Sequence, residues 1–456
     1  MVQIKNKWGW VVTVCTFIVI IPLTGIPSSF GVIFVKLQEE YEITDLETGW
    51  IGSVAFGMFF FASPISTGLF KRYGHRKVAI GGVILCSIGM LASSFVPNPS
   101  LLFLTYSAIY GVGSNFIDNT SLNLIGEYFP RKNSARATCF ATLGWSVGSL
   151  VFNPLIEVLC ARVGWRYTFR ILCGVVAVVG IPCVLTYSPA PIERPWKKLE
   201  SAEGQKKSLM ENSPEEQEKP TFREYIKTFL EALQAPGMWL WIFGNILANL
   251  SLIFPFVNMI KFMTTIGIPE FQGALTLTAM GVTDLLGRTI SSLIGDRIPF
   301  HVVYLYPLSS LVMALGIFSL LMISSFPGMV IFASGFGFFI GVFNSMLFKA
   351  CMDLFGSEIL AEAWTLTYVA SGIGIMVGPS IAGATYDHTQ SFTIAFYIGG
   401  GLCILGALVF IAIPLVQKRK DWNPKKALST PTDSTEFSTL TEDSTEEFLE
   451  ARITTI

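Results

Sequence analysis

Charge is scarce in this chain of 456 residues. Asp, Glu, Lys and Arg make up 14% of it, where a soluble chain averages about 25%. The few charges are also clustered: residues 188–236 hold 8 basic and 9 acidic side chains, and residues 417–456 hold 6 and 8. The rest is nearly bare of charge in a sequence that is 52% hydrophobic, which excludes a soluble enzyme. Basic residues (31) do not outnumber acidic ones (32), so no nucleic-acid partner is expected. Only three histidines occur, at 75, 301 and 388. They do not cluster, and no metal site is expected. A Walker motif is missing, and neither Gly111-x-Gly113 nor Gly335-x-Gly337 follows a strand, so ATP does not drive the protein and no cofactor is called for. The eight cysteines (15, 86, 139, 160, 173, 183, 351, 403) fall within or at the ends of apolar stretches. They read as small buried apolar side chains, not as disulfides.

Long apolar runs are abundant. A helix needs about 20 such residues to cross a bilayer. Twelve stretches qualify: 8–35, 47–70, 78–96, 100–125, 137–160, 167–187, 237–262, 270–294, 302–324, 327–350, 361–385 and 391–416. Runs such as Val83–Leu91 do not alternate as barrel strands would. The fold class is therefore an all-α membrane protein of twelve spans. The first stretch is longer than a signal peptide's apolar core and lacks a small-residue cleavage site, so it is expected to be retained. Lys71, Arg72, Arg76 and Lys77 in one loop, Arg131, Lys132 and Arg136 in another, and Lys418-Arg419-Lys420 after the last span place both termini in the cytoplasm. Arg162, Arg166 and Arg170 fall on the outer side and run against this rule.

The organisation follows: a six-span half over 1–187, a linker over 188–236, a second half over 237–416 and a disordered tail over 417–456. Within the linker, Phe222–Leu233 has the spacing of an amphipathic helix on the inner membrane surface. Gly144-x-x-x-Gly148 and Gly337-x-x-x-Gly341 allow close helix contacts. The chain ends Thr454-Thr455-Ile456, which suits β-augmentation into a PDZ groove. Two parallel halves with a site between them at mid-membrane describe a transporter.

Few polar groups interrupt the spans. Asp284 and Arg288 are four apart on one helical face. A charge at mid-bilayer costs at least about 2.5–3.5 kcal/mol, so the pair is either a structural lock or a substrate site in which Arg288 holds a carboxylate. Asp118 is a second intramembrane acid. It pairs with a base such as Arg288, carries a proton, attracts a cationic amine, or is a hydrogen-bonded structural acid. Asn245 and Asn249 share a face as cavity lining or as glue between helices. Lys349, near an inner span end, reads as snorkelling.

Several of these residues carry a family resemblance. Trp8-Gly9-Trp10 opens span 1, and Gly126-Glu127-Tyr128-Phe129-Pro130-Arg131-Lys132 follows span 4. Gly164-Trp165-Arg166 precedes span 6, Asp284-Leu285-Leu286-Gly287-Arg288 lies in span 8, and Met352-Asp353-Leu354 closes span 10. Over nearly all twelve spans the sequence resembles the monocarboxylate transporter family (solute carrier family 16) of the major facilitator superfamily. The resemblance implies a carrier of small organic acids by alternating access, with Asp284 and Arg288 as its central substrate and coupling element. It makes Ser345 and Phe348, with neighbouring Asn344, cavity-lining residues. Lys71, Arg72, Arg76 and Lys77 become a gating loop. It also implies residence in the plasma membrane, a proton as co-substrate and a single-span chaperone as partner. Ser28 stands where proton-coupled lactate carriers of the family have a lysine. A proton-independent facilitator of amino acids or related zwitterions therefore remains open beside proton symport. A non-transporting nutrient sensor is the reading from another class, though the linker and tail form no domain.

Overall fold

A computed structural model describes residues 2–30, 33, 37, 40–41, 45–130, 133–189, 222–297, 302–389 and 391–419. The PDZ-like end, most of the linker and tail, and Arg131 and Lys132 lie outside the described residues. Helices follow in order: α1 (Val2–Ser28), α2 (Asp45–Phe61), α3 (Ser63–Tyr73), α4 (His75–Ser93) and, after a π-helical turn (Phe103–Tyr110), α5 (Gly111–Tyr128). Then come α6 (Ser134–Leu185), α7 (Phe222–Gln234), α8 (Met238–Thr265), α9 (Glu270–Ile294), α10 (Leu305–Ser319), α11 (Phe326–Phe355), α12 (Leu360–Thr389) and α13 (Thr393–Arg419). Among the described residues there is no strand. In hydrocarbon every backbone N–H and C=O must be bonded within its own segment, and a helix does this.

Eight of these helices are long and apolar enough to cross a membrane, or nine when α2 and α3, bent by 41°, count as one span. The remaining three predicted spans are the second segment of α6, α8 and α9. Helix α6 runs for 52 residues, far longer than a core of about 30 Å accommodates at about 1.5 Å per residue. It holds two predicted spans joined at Gly164, whose φ of 79° is open to glycine and costly for other residues. Helix α9 has the length but carries Asp284 and Arg288. The outer surface is apolar: Met322, Ile331 and Val178 are 89%, 75% and 74% exposed, a surface suited to lipid rather than water.

The misplaced arginines have a structural explanation. Beside the Gly164 break, Arg166 pairs with Glu40 at 3.1 Å, donates to the Val96 carbonyl and lies over the Trp165 ring. Arg170 sits over Phe95 and Tyr167. They tie the segments around the Gly164 break to neighbouring helix ends, a local role that accounts for their place against the charge bias. Partial burial acts to raise the Glu40 carboxyl, but hydrogen bonds from Trp165 and Arg166 outweigh it and hold it below the usual carboxylate range.

Small residues set the helix spacing as their sequence positions predict. A Cβ added at Gly148 would sit 2.4 Å from the Ile21 carbonyl, and one at Gly25 would sit 2.6 Å from that of Gly148. Helices α1 and α6 thus touch backbone to backbone. Gly148→Leu is expected to cost about 3 kcal/mol, the upper end for overpacking, because the neighbour is backbone and cannot swing aside. A lower melting midpoint of the purified protein in detergent checks this.

The linker helix α7 forms where its periodicity placed it. Tyr225 donates to the Pro64 carbonyl at 2.8 Å and its ring lies against Gly68. Ala232 and Ala235 are buried, while Ile226 and Leu230 stay exposed. The helix is therefore fastened to the protein and still presents apolar side chains outward.

Candidate functional site

The halves meet where α6 crosses α9, and α2 and α3 cross α12. At the first crossing the Arg288 Nε donates to Asp284 at 3.0 Å. The Ser146 hydroxyl, from the other half, donates to the same carboxylate. Arg288 Nη1 reaches the Thr142 carbonyl at 3.5 Å. Nη2 meets no acceptor among the described residues. Arg288 is buried, so one side of the guanidinium is neutralised and the other is available. Packing fixes the backbone here: a Cβ at Gly341 would lie 2.3 Å from the Asp284 carbonyl oxygen and 3.1 Å from the Arg288 backbone nitrogen.

Asp118, on α5, is fully buried. Its partner is not Arg288 or any other base. Tyr368 of α12, in the opposite half, donates its hydroxyl to one carboxylate oxygen. The other oxygen, Oδ1, has no hydrogen-bond partner. Around it Asn115 donates to the Phe59 carbonyl at 2.6 Å and to Ser63, and Asn119 donates to Ser66 and Thr67. Pro64 cannot continue the helix from α2 into α3, and Asn115 satisfies a carbonyl beside that break. The sequence signal for this role was two polar side chains four apart in an apolar span.

Other candidates disperse. Ser28 is exposed and bonds only to its own helix, at the Gly25 carbonyl. Asn249 donates to Ser371 of α12 at 3.3 Å and has Gly374 pressed on it, whereas Asn245 donates within its own helix to the Trp241 carbonyl and its buried Oδ1 has no hydrogen-bond partner. Ser345 is buried and bonds to Val342, and Asn344 is half-buried. Phe348 stands edge-on to Trp364 at 4.9 Å and against Gly126 of the other half, so here it seals the halves together. Lys349 does not snorkel free: it pairs with Asp353 at 2.5 Å.

One end of the bundle is closed. Lys71 of α3 pairs with Glu362 of α12, which is fully buried. Thr67 and Thr365 share a hydrogen bond of 2.7 Å. The Asp296 carboxylate accepts from the Ala135 and Arg136 amides at 3.0 and 2.9 Å, an anion at the N-terminus of α6. Among the described residues, the side-chain hydrogen bonds that join the halves run from this end to the level of Ser146 and Tyr368. Of the four predicted gating bases only Lys71 crosses to the other half, while Arg72, Arg76 and Lys77 are exposed. Glu362 had no signal beyond being a lone acid at the start of an apolar run.

Comparison with known proteins agrees with this architecture. The family model of the Major Facilitator Superfamily matches residues 12–303 and 246–445. Human Monocarboxylate transporter 10 is 30% identical over 423 residues, covering 91% of this chain and 80% of that protein. Monocarboxylate transporter 2 of Mesocricetus auratus is 27% identical over 441 residues, covering 94% and 90%. The solved structure of the proton:xylose symporter XylE bound to 6-bromo-6-deoxy-D-glucose superposes with a TM-score of 0.67 at 17% identity, over 89% of this chain and 95% of that one. At that identity it bears on the fold alone.

Proposed function

The chain belongs to the monocarboxylate transporter family of the major facilitator superfamily and is a secondary transporter, not an enzyme; from that premise we propose that it carries a small monocarboxylate by alternating access, with Arg288 as the anchor for the carboxylate. The observation that supports this is a buried guanidinium at the junction of the halves, half neutralised by Asp284 and half free. A planar fork binds a carboxylate through two parallel hydrogen bonds. Asp284 offsets the charge when the carrier is empty, and Ser146 ties the pair to the opposite half. The closed end carries the Lys71 loop and the linker helix. With both termini in the cytoplasm of a cell with this carrier in its plasma membrane, that end is the cytoplasmic one. The conformation is then closed inward, and substrate enters from outside.

Two coupling modes share this site. A proton symporter fits the carboxylate of Asp284 beside the anchor. Ser28, exposed and without charge, favours a facilitator that needs no proton. Uptake of labelled lactate, pyruvate, ketone bodies, creatine and aromatic amino acids into proteoliposomes at external pH of about 6 and about 7.5 tests both. A carboxylate taken up by the wild type and lost with Arg288→Ala is the expected result. Faster uptake at acid pH assigns symport, and uptake without pH dependence assigns facilitation. Flux unchanged in Arg288→Ala overturns the anchor.

A further inference from the structure

The mechanism above leaves Asp118 unused. This carboxyl is fully buried, yet no Lys, Arg or His among the described residues pairs with it. Burying an ionised carboxylate without a counter-charge is expensive. A purely structural acid is expected to have its oxygens filled by neighbouring donors, but here the amides beside it are committed elsewhere. Asn115 serves Phe59 and Ser63, and Asn119 serves Ser66 and Thr67. Tyr368 occupies one oxygen, and Oδ1 is left without a partner.

The rings around it are the second observation. Trp145 lies beside the carboxyl with its indole N–H as a donor toward it, without closing a hydrogen bond to Oδ1. The Phe59 ring stands 5.5 Å from Trp145 and 6.0 Å from Tyr368. Phe60 is 5.4 Å and Trp364 is 4.5 Å from Tyr368. An acid set within an aromatic cluster is an environment suited to an organic ammonium, through one charge and nearby ring quadrupoles. Its place in the fold matters too. Trp145 is followed by Ser146, which grips Asp284, and Thr142, one turn earlier, meets Arg288. One turn of α6 thus borders both the free guanidinium and the ring-lined acid.

We propose that Asp118, with Trp145, Phe59 and Tyr368, forms a subsite for a cationic nitrogen, so that the preferred substrates carry a carboxylate for Arg288 and an amine or alkylated ammonium for Asp118. This rests on Arg288 as the carboxylate anchor. On binding, the substrate's nitrogen takes Oδ1 and competes with Tyr368 for the other oxygen. Because Tyr368 belongs to the opposite half, occupancy loosens one of the bonds that keep the halves closed.

Isosteric pairs test this in proteoliposomes containing the full chain. The pairs are betaine with 3,3-dimethylbutyrate, alanine with propionate, and phenylalanine with 3-phenylpropionate. In each, only the first member has the cationic nitrogen. The wild type is expected to prefer the charged member of at least one pair by about tenfold, the scale of one charged hydrogen bond. Asp118→Asn is expected to bring that ratio near one and leave uptake of the neutral acid within about threefold. Asp118→Glu restores the ratio, and Tyr368→Phe, which keeps the carboxylate, retains it. Equal loss of both members in Asp118→Asn, in protein that elutes and melts as the wild type does, overturns the subsite in favour of a structural acid. Transport of the neutral members only, with acid stimulation that Asp118→Asn removes, overturns it in favour of a proton carrier. If neutral acids move but Arg288→Ala does not affect them, the anchor fails and this inference falls with it.

Discussion

Arg288→Lys is expected to reduce carboxylate uptake by about 100-fold while the protein still folds. The arginine performs two tasks at once. Its Nε holds Asp284 at 3.0 Å, and Nη2 meets no acceptor among the described residues. A lysine ammonium satisfies Asp284 from the same helix turn, so the buried acid is not abandoned. It cannot also present a fork to a carboxylate, because it is a point charge on a flexible stem. Two charged hydrogen bonds at about 1.5–3 kcal/mol each are at stake, and about 3 kcal/mol corresponds to roughly 100-fold. Arg288→Ala loses transport too, but it also strands Asp284, and its melting midpoint should fall. Adding Asp284→Ala to Arg288→Ala should recover the melting midpoint and not the flux. This split between stability and uptake separates a substrate anchor from a structural lock. If Arg288→Lys transports like the wild type, the fork geometry is irrelevant and the anchor lies elsewhere.

The same pair shows how far the sequence could be read. A charged pair four apart in an apolar run is conspicuous because hydrocarbon penalises it, so Asp284 and Arg288 were legible without coordinates. The glycines at Gly144, Gly148, Gly337 and Gly341 were legible for a similar reason: a four-residue spacing of minimal side chains has one main use in a bundle. What the sequence could not supply were partners between elements distant in the chain. Tyr368 lies 250 residues beyond Asp118, and nothing local to either residue marks the other. The same holds for Lys71 and Glu362. Phe348 read as cavity lining, but side chains at the meeting of two halves exchange cavity for seal as the halves rock, and one conformation shows one of these. The two spans expected within α6 are both there, and they meet at a kink at Gly164, where the backbone is not helical.

Lys71→Met is expected to shift the carrier toward the state open at the Lys71 end, and far more than Glu362→Gln does. The asymmetry follows from burial. The Glu362 side chain is 0% exposed and that of Lys71 is 26% exposed. Removing the lysine leaves a carboxylate in the closed interface with no counter-charge, and one Glu362 oxygen already has no partner there. Breaking a buried pair from this side costs about 3–5 kcal/mol, enough to change the ratio of the two states by about 100-fold or more. Opening the end admits water to Glu362 and removes that cost, so the penalty falls on the closed state alone. Removing the acid instead leaves a lysine that swings its ammonium into solvent, and Glu362→Gln retains a group able to meet the hydroxyl seam of Thr67 and Thr365. Its shift should stay within a few-fold. The double variant Lys71→Met with Glu362→Gln should return close to Glu362→Gln alone, because the orphaned charge is gone. Spin labels at Lys77 and Lys418, both exposed and on opposite halves at this end, report the distance across it. A longer distance in Lys71→Met that reverts in the double variant is the expected pattern. Equal shifts in the two single variants mean that the pair contributes as a surface ion pair does, and that the closed end is held by Asp296 on the α6 N-terminus and by the apolar seal at Phe348.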